Sequence, residues 1–134
     1  MITVRLPTIL ILLFGLQACS STPNTGPGYT FDEVRVVNNS NLAIKRLTVS
    51  TASATVVDCG DIAALGYCSK RIGRRNYPKA PFTIAWMDAD NAQRNEQVNI
   101  EVPAYNAPGN PLYAEFEISP EGLLSGKLVQ KIPP

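Results

Sequence analysis

The sequence predicts an all-β chain whose main body is a small antiparallel two-sheet β-sandwich. From Phe31 onward, short runs rich in Val, Ile, Thr, Phe and Tyr are punctuated by Asn, Gly and Pro, the pattern of many short strands joined by turns. In the same stretch no apolar pattern of helical period lasts beyond about two turns. Within several runs the apolar residues recur at every second position, so that one face of each strand is buried and the other is wet.

Taken in order, Phe31 to Val37 gives the first strand. Leu42 to Thr51 gives the second, in which Leu42 and Ile44 alternate, Leu47 and Val49 alternate, and the slip of phase at Lys45-Arg46 predicts a bulge. Between them Asn38-Asn39-Ser40-Asn41 is expected to be a hairpin connection, because Asn tolerates positive φ and bonds its own backbone. Ala54 to Asp58 reads as a third strand, and Asp61 to Leu65 as at most one helical turn with Asp61 placed to cap it. Phe82, Ile84 and Trp86 share one face at period two, which marks an inner strand and puts Trp86 in the core rather than on a ligand platform. Asp88-Ala89-Asp90-Asn91 then turns the chain into Gln97 to Val102, where Val98, Ile100 and Val102 alternate. Tyr113 to Ser119 and Leu123 to Gln130 make the last pair, joined by Pro120-Glu121-Gly122. Seven or eight strands in roughly 100 residues give the general shape of an immunoglobulin-like or transthyretin-like sandwich, with a closed small barrel as the alternative. Neither shape specifies a function.

Composition removes several functional classes. The 134 residues carry twelve Lys and Arg against eleven Asp and Glu, and no His. A net charge of +1 sets up no global field for nucleic acid, which is therefore not an expected partner. Without His the chain cannot build a Ser-His-Asp or Cys-His site or the commoner zinc sites. No cofactor and no metal are expected. Asp88, Asp90 and Asn91 open like a calcium loop, but the positions that need an oxygen ligand, a Gly and a Glu hold Ala92, Gln93 and Asn99.

The first residues have the layout of an export signal. Met1 to Arg5 is charged, and Leu6 to Ala18 is an apolar stretch containing Ile9-Leu10-Ile11-Leu12-Leu13-Phe14. As a helix that stretch would reach only about 20 Å, short of the ~30 Å hydrocarbon core of a bilayer. It ends in Leu16-Gln17-Ala18-Cys19 followed by Ser20-Ser21, which resembles the lipobox of bacterial lipoproteins. The resemblance implies that residues 1–18 are a cleaved signal peptide. It also implies that Cys19 becomes a lipidated N-terminus, carrying a thioether-linked diacylglycerol and an N-linked acyl chain such as palmitate. Ser20, where an Asp would retain the protein at the inner membrane, implies the periplasmic leaflet of the outer membrane. Several acyl chains, at about 0.8 kcal/mol per buried methylene, make an anchor that does not readily dissociate. Residues 19–28, with Ser20 to Gly28 free of large apolar side chains and rich in Pro and Gly, then form a tether, and residues 29–134 the sandwich domain. With Cys19 spent on lipid, Cys59 and Cys68 remain as an even pair in an oxidising compartment and are expected to form a structural disulfide.

Two further features are weighed as sites. Lys70-Arg71-Ile72-Gly73-Arg74-Arg75-Asn76-Tyr77-Pro78-Lys79 places five cations in ten residues with no acid. Lys70, Arg71, Arg74, Arg75 and Lys79, with Tyr77 beside them, are the candidate contacts for an acidic envelope partner or for anionic lipid or glycan, since guanidinium forks bind phosphate and carboxylate in pairs of hydrogen bonds. The competing reading is a charged edge strand that discourages sheet-to-sheet pairing. Glu115 and Glu117 share a strand face and could form the carboxylate pair of a hydrolase, but they flank Phe116 as a solvated face flanks a core. In size, anchor and disulfide use the chain is similar to small envelope lipoproteins that inhibit lysozyme. Altogether the sequence implies a lipid-anchored, non-catalytic sandwich that docks an envelope partner, with a ligand binder or enzyme inhibitor as the alternative and a two-carboxylate hydrolase as a remote one.

Overall fold

Residues 28–52, 54–104 and 112–131 are described by a computed structural model of the chain, and they form the expected all-β sandwich of two sheets. The lipobox, Cys19 and all of the tether before Gly28 lie outside the described residues. The strands are β1 (Thr30–Asn38), β2 (Ile44–Ser50), β3 (Thr55–Ile62), β4 (Tyr67–Asn76), β5 (Phe82–Met87), β6 (Gln93–Val98), β7 (Ile100–Glu101), β8 (Leu112–Ile118) and β9 (Leu124–Gln130). One sheet runs β4-β1-β8-β9-β7 and the other β3-β2-β5-β6. Neighbours are antiparallel except β1 with β8 and β7 with β9, which are parallel.

The alternation that predicts the inner strands is what builds the core. Phe82, Ile84 and Trp86 of β5 face Leu112, Ala114, Phe116 and Ile118 of β8 across the sheets, and all seven are buried. The Phe82 ring centroid lies 6.0 Å from that of Phe31 and 5.4 Å from that of Phe116, in edge and tilted arrangements that suit aromatic quadrupoles. Fully burying such a side chain is worth about 1.5–3 kcal/mol. Gly126 on β9 is what lets Phe116 lie flat there: a Cβ on Gly126 would come 3.0 Å from the Phe116 ring.

Two strands keep their inward face only by inserting residues. On β1 the buried positions go from Phe31 to Val34 and Val36, and the register with β8 shifts at Asp32 to absorb the change. On β2 the bulge expected at Lys45-Arg46 is present: Ile44 pairs with Ile62, but Leu47 pairs with Gly60. Arg46 takes φ 52°, and its freed N–H donates to the Asp61 carboxylate at 3.0 Å.

Three local expectations are corrected. The segment Asn38 to Asn41 is not a hairpin, because β1 already has β4 and β8 on its two edges and β2 belongs to the other sheet. Asp61 does not cap a helical turn. β3 continues to Ile62, since β2 offers it a partner that far, and Asp61 serves the β2 bulge instead. Gln97 to Val102 is not one strand: Val98 ends β6 in one sheet, Ile100 begins β7 in the other, and both side chains remain buried across the switch.

The disulfide Cys59–Cys68 is formed, with Cα atoms 5.9 Å apart. It joins β3 to β4, the edge strands of the two different sheets, where the chain turns between them at 63–66. The staple therefore closes one side of the sandwich rather than a hairpin within a sheet.

Candidate functional site

β1 runs from Thr30, next to the point where the chain enters the fold, to Asn38, and so defines a proximal and a distal end. At the distal end gather the 38–43 connection, the 63–66 corner, the β5–β6 turn and the β8–β9 turn. Asn38 holds the first two together. It is fully buried, and its Nδ2 donates to the carbonyls of Leu42 (2.8 Å) and Ala63 (3.1 Å) while its Oδ1 accepts from the N–H (3.1 Å) and the hydroxyl (2.7 Å) of Ser40. Every hydrogen-bonding site of the amide is thus used, the condition under which a buried polar group is tolerated. Leu65 N–H to Ser40 carbonyl (3.2 Å) and Asn39 N–H to Ile118 carbonyl (2.8 Å) join the corner and β8 to the same knot.

The β5–β6 turn is built on Asp88. Its Oδ1 accepts from the N–H groups of Asp90 and Ala92, each at 3.0 Å, and its Oδ2 from Arg94 Nε at 3.3 Å. The Ala92 N–H, then that of Asp90 and the Arg94 guanidinium, hold the Asp88 carboxyl below its ordinary range against the opposing effect of desolvation. The carboxylate is consumed by the turn, and among the described residues no group of three or more His, Cys, Asp or Glu could hold a metal ion.

Between these loops opens a cleft of about 460 Å³, lined by Leu42, Trp86 and Ile118 and by the polar side chains of Asp90, Arg94 and Glu121. Trp86, at 5% exposure, is the core residue its register predicts and also lines the cleft. Leu42, Leu65 and Leu123 stand exposed on the loops of this end. Sequence reasoning did not assemble this cleft, since its lining comes from three connections far apart in the chain. The usable signal was Asn38, a polar residue in the inward register of Val34 and Val36.

The basic segment lies mostly at the other end. Lys70, Arg71, Arg74 and Arg75 are on β4, the free edge of its sheet, and Lys79 is just beyond it; all five are exposed. Arg75 pairs with Phe31 and Asn76 with Thr30, and Tyr77 N–H donates to the Tyr29 carbonyl at 2.8 Å. Arg74, Arg75 and Lys79 therefore sit beside the chain entry, whereas Lys70 and Arg71 pair with Val34 and Glu33 in mid-strand. Among the described residues the ion pairs engage Arg35, Arg94, Lys127 and Lys131, and none engages these five cations. Tyr77 departs from its neighbours: half-buried, it stacks on Phe82 with centroids 6.4 Å apart and planes 5° from parallel.

The outer face of the five-stranded sheet is a lattice of matched charges. Glu115 lies 3.5 Å from Lys127 and 3.9 Å from Arg35, and Glu117 accepts from Asn39 Nδ2 at 2.9 Å. The two glutamates of the carboxylate-pair reading are thus each engaged by neighbouring side chains. Arg35 also lies 4.5 Å from the Tyr113 ring centroid, a cation–π contact. Glu33 accepts from the Ser69 hydroxyl at 2.6 Å and pairs with Lys131 at 3.2 Å; the Ser69 bond first, then Lys131 and Arg35, hold its carboxyl low against the effect of burial. Burial pushes the Lys131 ammonium down, but Asp32 and Glu33 outweigh it and raise it.

No protein-family model matches the chain, and no curated protein matches it in sequence. Among solved structures, an NMR structure of a protein from Eubacterium rectale is similar over 84% of this chain and 99% of that one, at 7% identity and a TM-score of 0.43.

Proposed function

We propose that the chain is a lipoprotein anchored through Cys19 in the periplasmic leaflet of the outer membrane, whose sandwich docks an envelope partner without catalysing a reaction. The observation that carries the docking surface is the placement of the distal cleft. It opens at the end of β1 opposite to Gly28, with Leu42, Leu65 and Leu123 exposed around that end. Exposed apolar side chains gathered at one end of a domain are characteristic of recognition surfaces. The anchor would raise the local concentration of this surface near the bilayer.

The test has two arms. Cys19→Ala should move the protein from the membrane fraction to the soluble one, and a variant that still sediments with membranes overturns the anchor. Photo-crosslinking residues placed in the host at Leu42 and Glu121 should give one discrete adduct each, and the same residue at Lys127 on the outer sheet face should give none. Adducts at Lys127 alone would move the docking surface to that face. A blank at all three positions would overturn docking through either surface.

A further inference from the structure

We propose that the proximal end of the sandwich rests on the anionic membrane surface through Arg74, Arg75 and Lys79, so that the domain stands upright with its cleft facing away from the bilayer. The inference builds on the lipid-anchor reading and adds an orientation to it. Three observations carry it. First, the three cations cluster where the chain enters the fold, Arg75 paired with Phe31 and the Tyr77 N–H bonded to the Tyr29 carbonyl. Second, none of the three has an acidic partner among the described residues, and Asp32, the carboxylate next to Phe31 on β1, is occupied by Lys131. Third, the opposite end carries Asp90 and Glu121 on the cleft, with Asp88 matched there by Arg94, so the unmatched cations of the basic segment lie toward the tether end.

The length of chain outside the fold sets the occupant. Counted from Cys19, nine residues reach Gly28, so the two can be no farther apart than about 30 Å. A cation at the end of such a span remains within a few Debye lengths of the headgroups, each of which is about 8 Å at physiological ionic strength. Each Lys or Arg brought to an anionic leaflet favours the surface-bound state about fivefold, so three together favour it about a hundredfold. With β1 upright, its nine residues set the cleft about 30 Å above the lipid. Tyr77, stacked on Phe82, fixes the segment that presents Arg74, Arg75 and Lys79 rather than contacting the surface itself.

The experiment uses the lipidated full-length protein purified from membranes, its acylation at Cys19 checked by intact mass. It is reconstituted into vesicles of phosphatidylcholine alone or of phosphatidylcholine with about a third phosphatidylglycerol, and amide hydrogen exchange is followed by peptide. Exchange in 72–79 should slow at least fivefold in the anionic vesicles only. The slowing should vanish in 0.5 M salt and in Arg74→Gln/Arg75→Gln/Lys79→Gln, and Leu42 and 119–123 should exchange alike in both vesicles. Equal exchange in the two vesicles, or protection that moves to 119–123, overturns the orientation and leaves the anchor standing. A mass without acyl chains overturns the anchor and the orientation together.

Discussion

At the distal end of this sandwich a polar amide is buried and fully matched; toward the proximal end three cations are exposed and unmatched. Asn38 is enclosed with all four of its hydrogen-bonding sites used, whereas Arg74, Arg75 and Lys79 make no ion pair among the described residues. The two arrangements answer different physical demands. A buried amide is tolerable only if its partners are in place, so it fixes the geometry of the loops that supply them. An exposed cation is solvated wherever it points, so it can wait for an external partner at little cost to the fold. The comparison separates residues that shape the cleft from residues free to contact something else.

The largest effect should come from breaking the distal knot. Asn38→Ala removes four hydrogen bonds from a buried site, at a cost of about 3 kcal/mol, although the Leu42 and Ala63 carbonyls each keep a second donor in the Ser40 hydroxyl (3.1 Å) and the Gly66 N–H (2.9 Å). Asn38→Asp should recover little, because an ionised carboxylate cannot donate to either carbonyl. Urea unfolding of the three proteins measures both, and a loss below about 1 kcal/mol for Asn38→Ala would show that water replaces the amide there. Next in size is the staple between the sheet edges. Replacing Cys59 and Cys68 by Ala together should cost about 2.7 kcal/mol on the chain-entropy estimate for a closed loop of this length. The same shift in midpoint should appear when the native protein is reduced, and a double variant as stable as the oxidised parent would make the bond dispensable.

How much of this contrast is legible in the sequence depends on which strands carry it. Phe82, Ile84 and Trp86 announce β5 because a central strand buries one whole face, and the same holds for β8. β6 is nearly silent: at the edge of its sheet, only Val98 of its six residues is buried, and its first half reads as loop. β4 turns in only Cys68 and, in part, Ile72, so its cations dominate the pattern and suggest an edge without revealing its neighbour. Alternation tells which face of a strand is buried and not which strand lies beside it, so the parallel pairing of β1 with β8 is invisible, and with it the error of a hairpin at Asn38. The cleft is hidden for the same reason. Its walls meet only once strands of two sheets have been placed, and of its lining Trp86, Asp88 and Asp90 stood out in advance for other reasons.

A smaller effect sits between the two ends, where Ser69, Lys131 and Arg35 hold the Glu33 carboxyl low. A carboxyl depressed on folding stabilises the native state above its unfolded pKa of about 4.3 and loses that contribution as pH falls through the lower folded value. Lys131, raised on folding, gives the mirror case: its contribution is complete below about pH 10.4 and is lost as pH rises through the higher folded value. Glu33→Gln should therefore lower stability at pH 7 by about 0.5–1 kcal/mol and flatten the acid limb of the stability curve. Melting temperatures from pH 2 to 7 measure this, and parallel curves for parent and variant would place the acid sensitivity elsewhere.

The smallest effect on stability is expected where the proposed contact is largest. In Arg74→Gln/Arg75→Gln/Lys79→Gln, three exposed side chains lose charge without losing an intramolecular partner, so unfolding in urea should shift by no more than about 0.5 kcal/mol. A slight gain is the expected sign, because like charges close together on a free edge repel one another. Edge charges also suppress pairing between sheets, so the triple variant tests the edge-strand reading of these cations as well. If their use is to keep β4 from pairing with another copy, the variant should sediment as dimers or larger species in the absence of lipid. If their use is contact with the leaflet, it should remain monomeric and lose only its response to anionic vesicles. A monomer that is more than about 1 kcal/mol less stable than the parent would contradict both, because it would mean that these side chains hold the fold after all.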